Sequence, residues 1–375
     1  MIPLNPNLSG LQRSGIRVYT NLANQTPGCI RFTIGEPDFD TPQAIKDAAW
    51  KALQDNQTHY AMNQGQPALR QAIAEYETNR GFSCSSEQIL ITAGATGALF
   101  TAMLGILAPG DEVVIPTPAF PLYESIATIA GASIVRLDTE KTGFQLTEEA
   151  LSQVISPKTK AIILNSPNNP TGVVYTQESL NAVKNAVLGK PIYVICDNVY
   201  QQLCHESCPD LSLDSSLSSQ ILLCQSFSKP YAMTGWRIGY LAGPGDVISR
   251  LLLLHAAEVA AIPTFLQTAC ITALQTDISA MADSYRMRRE YVCRRLDEMG
   301  ISYPMPGGAF YIFPDIRKFG LSDDEFCKRM IREAKVAAVP GSCFGQAGYI
   351  RISCACSDEE LHRGMDAVEV FINTL

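Results

Sequence analysis

The chain has 375 residues, 46% of them hydrophobic and 18% charged, with a formal net charge of −8. That length and apolar content allow a large core and more than one domain, while the acidic balance excludes a surface built to neutralise nucleic-acid phosphates. The longest apolar run, Leu251–Pro263, is interrupted by His255 and Glu258 and falls short of the roughly 20 residues of a membrane span, so it is expected as a buried or interface helix.

The N-terminus, "MIPLNPNLSGLQRSG", lacks the basic-then-apolar pattern of a signal peptide, and a cytoplasmic protein is expected. The twelve cysteines are scattered without the density of a disulfide scaffold. Cys196 and Cys224 sit inside apolar runs and read as small hydrophobes. The clusters Cys204-His205-Cys208 and Cys354-Cys356 lack a second ligand pair at zinc spacing, so no metal is expected.

In chain order, "LQRSGIRVYTNLANQ" (11–25) carries Arg13, Arg17 and Tyr19, open to substrate or interface contact or to plain surface salt-bridging. "QPALRQAIAEYETNRG" spaces Leu69, Ile73 and Tyr76 along one helical face and stops at Gly81. "EQILITAG" then reads as a short strand and "ATGALFTAMLGIL" as a helix. "DEVVIPTP", "TKAIILNSP", "PIYVICDNVY", "ILLCQSFS" and "RIGYLAGP" are short apolar runs bounded by turn residues, as buried parallel strands are. Helical stretches such as "TQESLNAVKNAV" lie between them, and this alternation predicts an α/β domain with a mostly parallel sheet between helices. The last ninety or so residues change to a charged amphipathic helix, "SYRMRREYVCRRLDEMG", and short strands at "GGAFYIFPDI", "VAAVPG" and "YIRISCACS". They predict a smaller α+β unit, joined to the large one by a long helix near residues 265–295.

Ligands of open α/β sheets bind beyond the carboxyl ends of the strands. The turns after Ile91, Ile115, Leu164, Ile195 and Cys224 should therefore share one site. Gly94, Ala95 and Thr96 open a helix there, where free amides and the helix dipole hold an anion, although small residues also open helices merely for close packing. Asp197 ends a strand, as a helix cap or a functional acid. "NSPNNPTG" is a tight turn, structural or positioning. Lys229, in "SFSKPYAMTGWRIGYLAGP", has no adjacent carboxylate and has Arg237 eight positions on. Burial and nearby cations would depress the pKa of such a lysine and make it a nucleophile.

Taken together, "SFSKPYAMTGWRIGYLAGP" and "NSPNNPTG", in colinear order with "IGEPDFDTP" and "YIRIS", resemble the class I/II aminotransferases of the fold-type I pyridoxal-phosphate enzymes. The resemblance covers most of the chain. It implies a large domain at 46–280 with a seven-stranded, mostly parallel sheet, a C-terminal small domain at 281–375, and an N-terminal arm (1–45) that contributes to the small domain. By it, Lys229 forms the Schiff base with the cofactor's aldehyde and shuttles the substrate's proton. Asp197 faces the pyridine nitrogen, where a carboxylate about 4 Å from a unit charge, worth about 4 kcal/mol at an effective dielectric of 20, raises the nitrogen's pKa by roughly 3 units. Asn169 and Tyr200 bind the ring's phenolic oxygen, and Phe120 stacks on the ring. Ala95, Thr96, Ser226 and Arg237 hold the phosphate, joined by Tyr60 from the partner subunit of a homodimer. Arg351, with the backbone of Gly35, takes the substrate α-carboxylate.

The implied activity moves the amino group of an L-amino acid to a 2-oxo acid, 2-oxoglutarate being the expected acceptor, by a ping-pong mechanism. The alternative is a pyridoxal-phosphate C–S β-lyase on the same fold. Two positions depart from the common pattern. Asn198 stands where D-E-x-Y has its glutamate, and Thr96 stands where some aspartate-specific relatives carry a lysine, which weakens an aspartate assignment.

Overall fold

The computed structural model describes residues 4–11, 14–204 and 208–375. Arg13 and His205, singled out above, lie outside the described residues. After a short strand β1 (Ile30–Arg31) comes the central sheet: β2 (Ile89–Thr92), β3 (Glu112–Thr117), β4 (Ser133–Asp138), β5 (Thr159–Asn165), β6 (Tyr193–Asp197), β7 (Ile221–Ser226) and β8 (Gly239–Ala242). These seven stand in the order β2-β8-β7-β6-β5-β3-β4. Strands β4, β3, β5, β6 and β7 pair in parallel, so their carboxyl ends meet on one side.

Strand β8 is the exception. It runs antiparallel to both β7 and β2, which corrects the reading of "RIGYLAGP" as a parallel strand. A parallel return needs a crossover, usually a helix. Residues 227–238 hold only the 3-10 turn Thr234–Trp236, so the chain doubles back beside β7.

Successive residues point to opposite faces of a strand, and each face is covered. Val113 and Ile115 join one apolar cluster with Leu90, Ile163 and Leu222, whereas Val114 joins the other with Ile91, Ile162 and Leu223. The helices α1 (Gly15–Asn24), α2 (Gln43–Gln54), α3 (Pro67–Arg80) and α4 (Gly94–Ile106) precede β3. α3 ends where Gly81 adopts φ +104° and closes the last turn.

A separate core gathers the last part of the chain. Strands β9 (Tyr311–Ile312), β11 (Val339–Pro340) and β12 (Ile350–Ser353) form an antiparallel sheet in the order β11-β12-β9. Strand β10 (Val336–Ala337) pairs in parallel with β1, so Ile30 and Phe32 enter the same core as Phe310, Ile331 and Ile352. The single long helix expected near 265–295 is two, Thr264–Leu274 and Ser279–Glu298. The break is local: the Asp277 carboxylate accepts from the Ser279 amide (2.9 Å) and hydroxyl (3.0 Å) and so starts the second helix afresh.

Strand β8 and the start of α4 approach each other backbone to backbone. A Cβ on Gly239 would stand 2.5 Å from the Gln225 carbonyl oxygen and 2.9 Å from the Ala95 nitrogen. Both neighbours are backbone and cannot step aside. Gly239→Ala is therefore expected to lower the unfolding free energy by about 1–3 kcal/mol, read from urea denaturation of the purified protein.

Candidate active site

The turn from β2 into α4 supplies a helix N-terminus with open amides. Gly94 takes φ +70°, and a Cβ there would lie 2.9 Å from Nη2 of Arg237. Glycine thus admits the guanidinium to the mouth of the helix. Arg237 itself has φ +54°, and its Nη1 donates to the Thr234 carbonyl at 3.0 Å. Ser226, at the end of β7, is buried, and its hydroxyl accepts from the Ser228 amide at 3.0 Å. Amides, a hydroxyl and a guanidinium thereby converge at the helix end.

Asp197 closes β6 on the same side. It is buried, and its Oδ2 accepts from the Tyr123 hydroxyl at 2.5 Å, while Oδ1 has no hydrogen-bond partner among the described residues. Burial pushes its pKa up to about 6; the Tyr123 hydrogen bond, the Val199 amide and Lys229 pull the other way. Asn165, at the end of β5, fixes the neighbourhood. Its Nδ2 donates to the Asp197 carbonyl (2.9 Å) and its Oδ1 accepts from the Asn169 amide (2.8 Å). Asn198, in the slot the family pattern gives to glutamate, donates to Asp210 at 3.0 Å, and Gln201 donates to the same oxygen at 2.6 Å. An acid from farther along the chain thus occupies that neighbourhood.

Lys229 sits in the turn after β7, and its Nζ donates to the Gly35 carbonyl. Burial pulls its pKa down to about 8; Arg351 and Arg237 add to that depression, and Glu36 and Asp197 oppose it. About a tenth of the amine is therefore uncharged at pH 7, far more than for a lysine in water.

Arg351, on β12, is buried. Its Nη1 donates to Asn169 Oδ1 (2.9 Å) and its Nη2 to the Thr33 carbonyl (2.8 Å), while Nε has no partner. The guanidinium lies over the rings of Tyr311 (4.5 Å) and Phe344 (4.9 Å). The Tyr200 and Tyr311 hydroxyls are 2.9 Å apart.

One cleft is lined by Gly35, Ala95, Thr96, Phe120, Asn169, Asp197, Tyr200, Ser226, Lys229, Arg237 and Arg351. Of the residues singled out from the sequence, Tyr60 is not among them; it is 92% exposed on the outside of this chain. Tyr19 is not in the cleft either. It is buried, and its hydroxyl bonds Asp324, while Ile16 from the same helix does reach the cleft. Arg17 is exposed and away from it. Sequence reasoning missed Tyr123, Asn165 and Tyr311. Tyr123 follows Phe120 by three residues in "PAFPLY", and Asn165 opens "NSPNNPTG" where an apolar run stops, both usable signals; Tyr311 gave none beyond its apolar surroundings.

A buried lysine with a lowered pKa, a buried strand-end carboxylate and a helix end open to an anion meet at the carboxyl edge of the α/β sheet. Residues 27–368 match the family described as "Aminotransferase class I and II". The chain belongs to that family, and it is an aminotransferase. It is 39% identical over 376 residues to the probable N-acetyl-LL-diaminopimelate aminotransferase of Bacillus subtilis, covering 98% of this chain and 95% of that one. It is 38% identical to aromatic-amino-acid aminotransferase 2 of Thermococcus litoralis, covering 98% and 97%. Among solved structures, aspartate aminotransferase from Thermus thermophilus with maleate superposes with a TM-score of 0.94 at 32% identity over all of both chains.

The raised pKa of Asp197 has a stability consequence with a definite sign. Below pH 3.8 the carboxyl is protonated both folded and unfolded; above about 6 it is ionised in both, and the folded state bears the cost of the buried charge. Asp197→Asn should therefore stabilise the cofactor-free protein by about 2–3 kcal/mol at pH 7, shrinking below about 1 kcal/mol at pH 4. Urea denaturation at the two pH values checks this.

Proposed function

We propose that the cleft binds pyridoxal 5′-phosphate and that the chain transfers the amino group of an L-amino acid to a 2-oxo acid, 2-oxoglutarate, in two half-reactions at one site. The observation that carries this reading is the pairing of Lys229, its pKa drawn down to about 8, with the partnerless buried oxygen of Asp197 across the same cleft. The residues fit the cofactor. A protonated ring nitrogen would satisfy Asp197 Oδ1, and the cradle at Gly94 and Arg237 matches a phosphate in charge and in donors. When bound, the cofactor supplies an electron-withdrawing ring that accepts the electrons left when the substrate Cα loses its proton.

In this reading Lys229 would hold the cofactor through its aldehyde, and its Nζ would be the base that carries the substrate's Cα proton. Asp197 keeps the ring nitrogen protonated. Tyr200 and Asn169 donate to the phenolic oxygen, and Phe120 covers one face of the ring. Ala95, Thr96, Ser226 and Arg237 bind the phosphate. Arg351 has five N–H groups, of which two are bound within the protein; the remainder and the backbone at Gly35 take the substrate α-carboxylate. Both substrates carry that carboxylate, which is why one site serves both.

Ile16, Leu99 and Leu122 line the same cleft as Thr96 and give it an apolar part. It favours an apolar or aromatic donor over aspartate. Tyr60 completes the phosphate site of a second copy in a homodimer, for which its exposure leaves it free. The aminotransferase names of the relatives do not favour the C–S lyase alternative.

The test is a visible absorption spectrum of the cofactor-loaded protein as single L-amino acids are added. The band is expected to fall with the true donor and return with 2-oxoglutarate. A persistent band with pyruvate and ammonia released from cystathionine would instead favour the lyase. Lys229→Ala is expected to abolish turnover and the lysine-dependent visible band while leaving the far-ultraviolet circular dichroism unchanged. Normal turnover by that variant would sink the assignment.

A further inference from the structure

Tyr311 lies on β9, outside the large sheet, yet its side chain meets three functional groups at once. Its hydroxyl is 2.9 Å from that of Tyr200. Its ring lies under the Arg351 guanidinium, 4.5 Å from the ring centre. A Cβ added to Gly35, whose carbonyl accepts from Lys229 Nζ, would stand only 2.7 Å from the Tyr311 oxygen. The side chain is 1% exposed and held edge-on between Tyr200 and Phe310.

A phenol has one proton to give. If Tyr200 turns its proton to the cofactor's phenolic oxygen, its own oxygen is left as an acceptor, and Tyr311 is the only hydrogen-bond partner that oxygen has among the described residues. A hydroxyl that accepts a hydrogen bond becomes a stronger donor, because bonds in a chain polarise one another. The charged and titratable groups acting on the pair are Arg351, Asp197 and Cys354.

We propose that Tyr311 is a positioning residue: its hydroxyl donates to Tyr200 and aims the Tyr200 proton into the cleft, while its ring fixes the plane of Arg351. One side chain thereby couples the cofactor's phenolic oxygen to the substrate-carboxylate site. This rests on the cofactor reading under Proposed function.

The experiment is a pH titration of the visible band of the cofactor-loaded protein, with donor KM measured in parallel. In Tyr311→Phe the ring stays and the donor to Tyr200 is lost. More negative charge then remains on the cofactor's phenolic oxygen and holds the neighbouring proton more tightly, so the midpoint should rise by roughly 0.3–1 pH unit. Donor KM should change less than about twofold in this variant, whereas Tyr311→Leu, which also removes the ring from Arg351, should raise it about tenfold. In a Tyr200→Phe background, Tyr311→Phe should move the midpoint no further. An equal shift in that background, or no shift in the single variant, overturns the proposal while the wild-type band stands. A protein without a visible band that depends on Lys229 overturns the cofactor reading, and this proposal with it.

Discussion

A carboxylate with one oxygen satisfied and the other left bare is the constraint on which the cleft depends. Asp197 has been taken out of water at the end of a central strand, and Tyr123, the Val199 amide and Lys229 offset only part of the cost. A chain selected for stability alone would place an amide or an apolar side chain there. The surrounding order serves that one atom: Asn165 ties the strand end to the Asn169 turn, and the apolar clusters on both faces of the sheet keep the strand from shifting. Stability is given up locally, and the rest of the fold supplies it.

Strand direction then decides what can face the carboxylate. Because β8 returns antiparallel, it carries Arg237 at its entrance back to the end of the sheet where the parallel strands finish. Gly239 and Gly94 remove the side chains that would keep strand and helix apart. The loop between β7 and β8 holds Lys229 between the two positive ends of the site, Arg237 and Arg351, and both disfavour a charged amine. The electrostatics of the lysine thus follow from a topological detail of the sheet.

Much of this was legible in the sequence, for a physical reason. Buried parallel strands are short apolar runs with turn residues after them, so "YVICD" and "ILLCQS" announce both a strand and the position of its functional end. Asp197, Ser226 and Lys229 are legible because they are polar residues where the pattern stops. The direction of β8 was not legible, since an apolar run reads alike in either sense and only the missing crossover helix distinguishes them. Nor was the break at 275–278, which turns on one Asp277 side chain. Tyr311 sits inside "GAFYIF", where an aromatic in an aromatic run looks like core, and only its contacts separate it from Phe310. Tyr19 misled in the opposite way: its periodicity fits a buried helix face, and that is where it lies.

The helix α1 is anchored by Tyr19 to Asp324, at the start of the helix Asp323–Ala334. One turn earlier it presents Ile16 to the cleft. Arg351 springs from β12 in the same core. Ile16 and Arg351 therefore come from elements of the smaller unit, whereas Leu99, Leu122, Lys229 and Asp197 come from elements of the larger one. Under the function proposed above, substitutions at Ile16 would reshape the cleft from an element that carries neither Lys229 nor Asp197, so divergence in substrate choice would cost this architecture little.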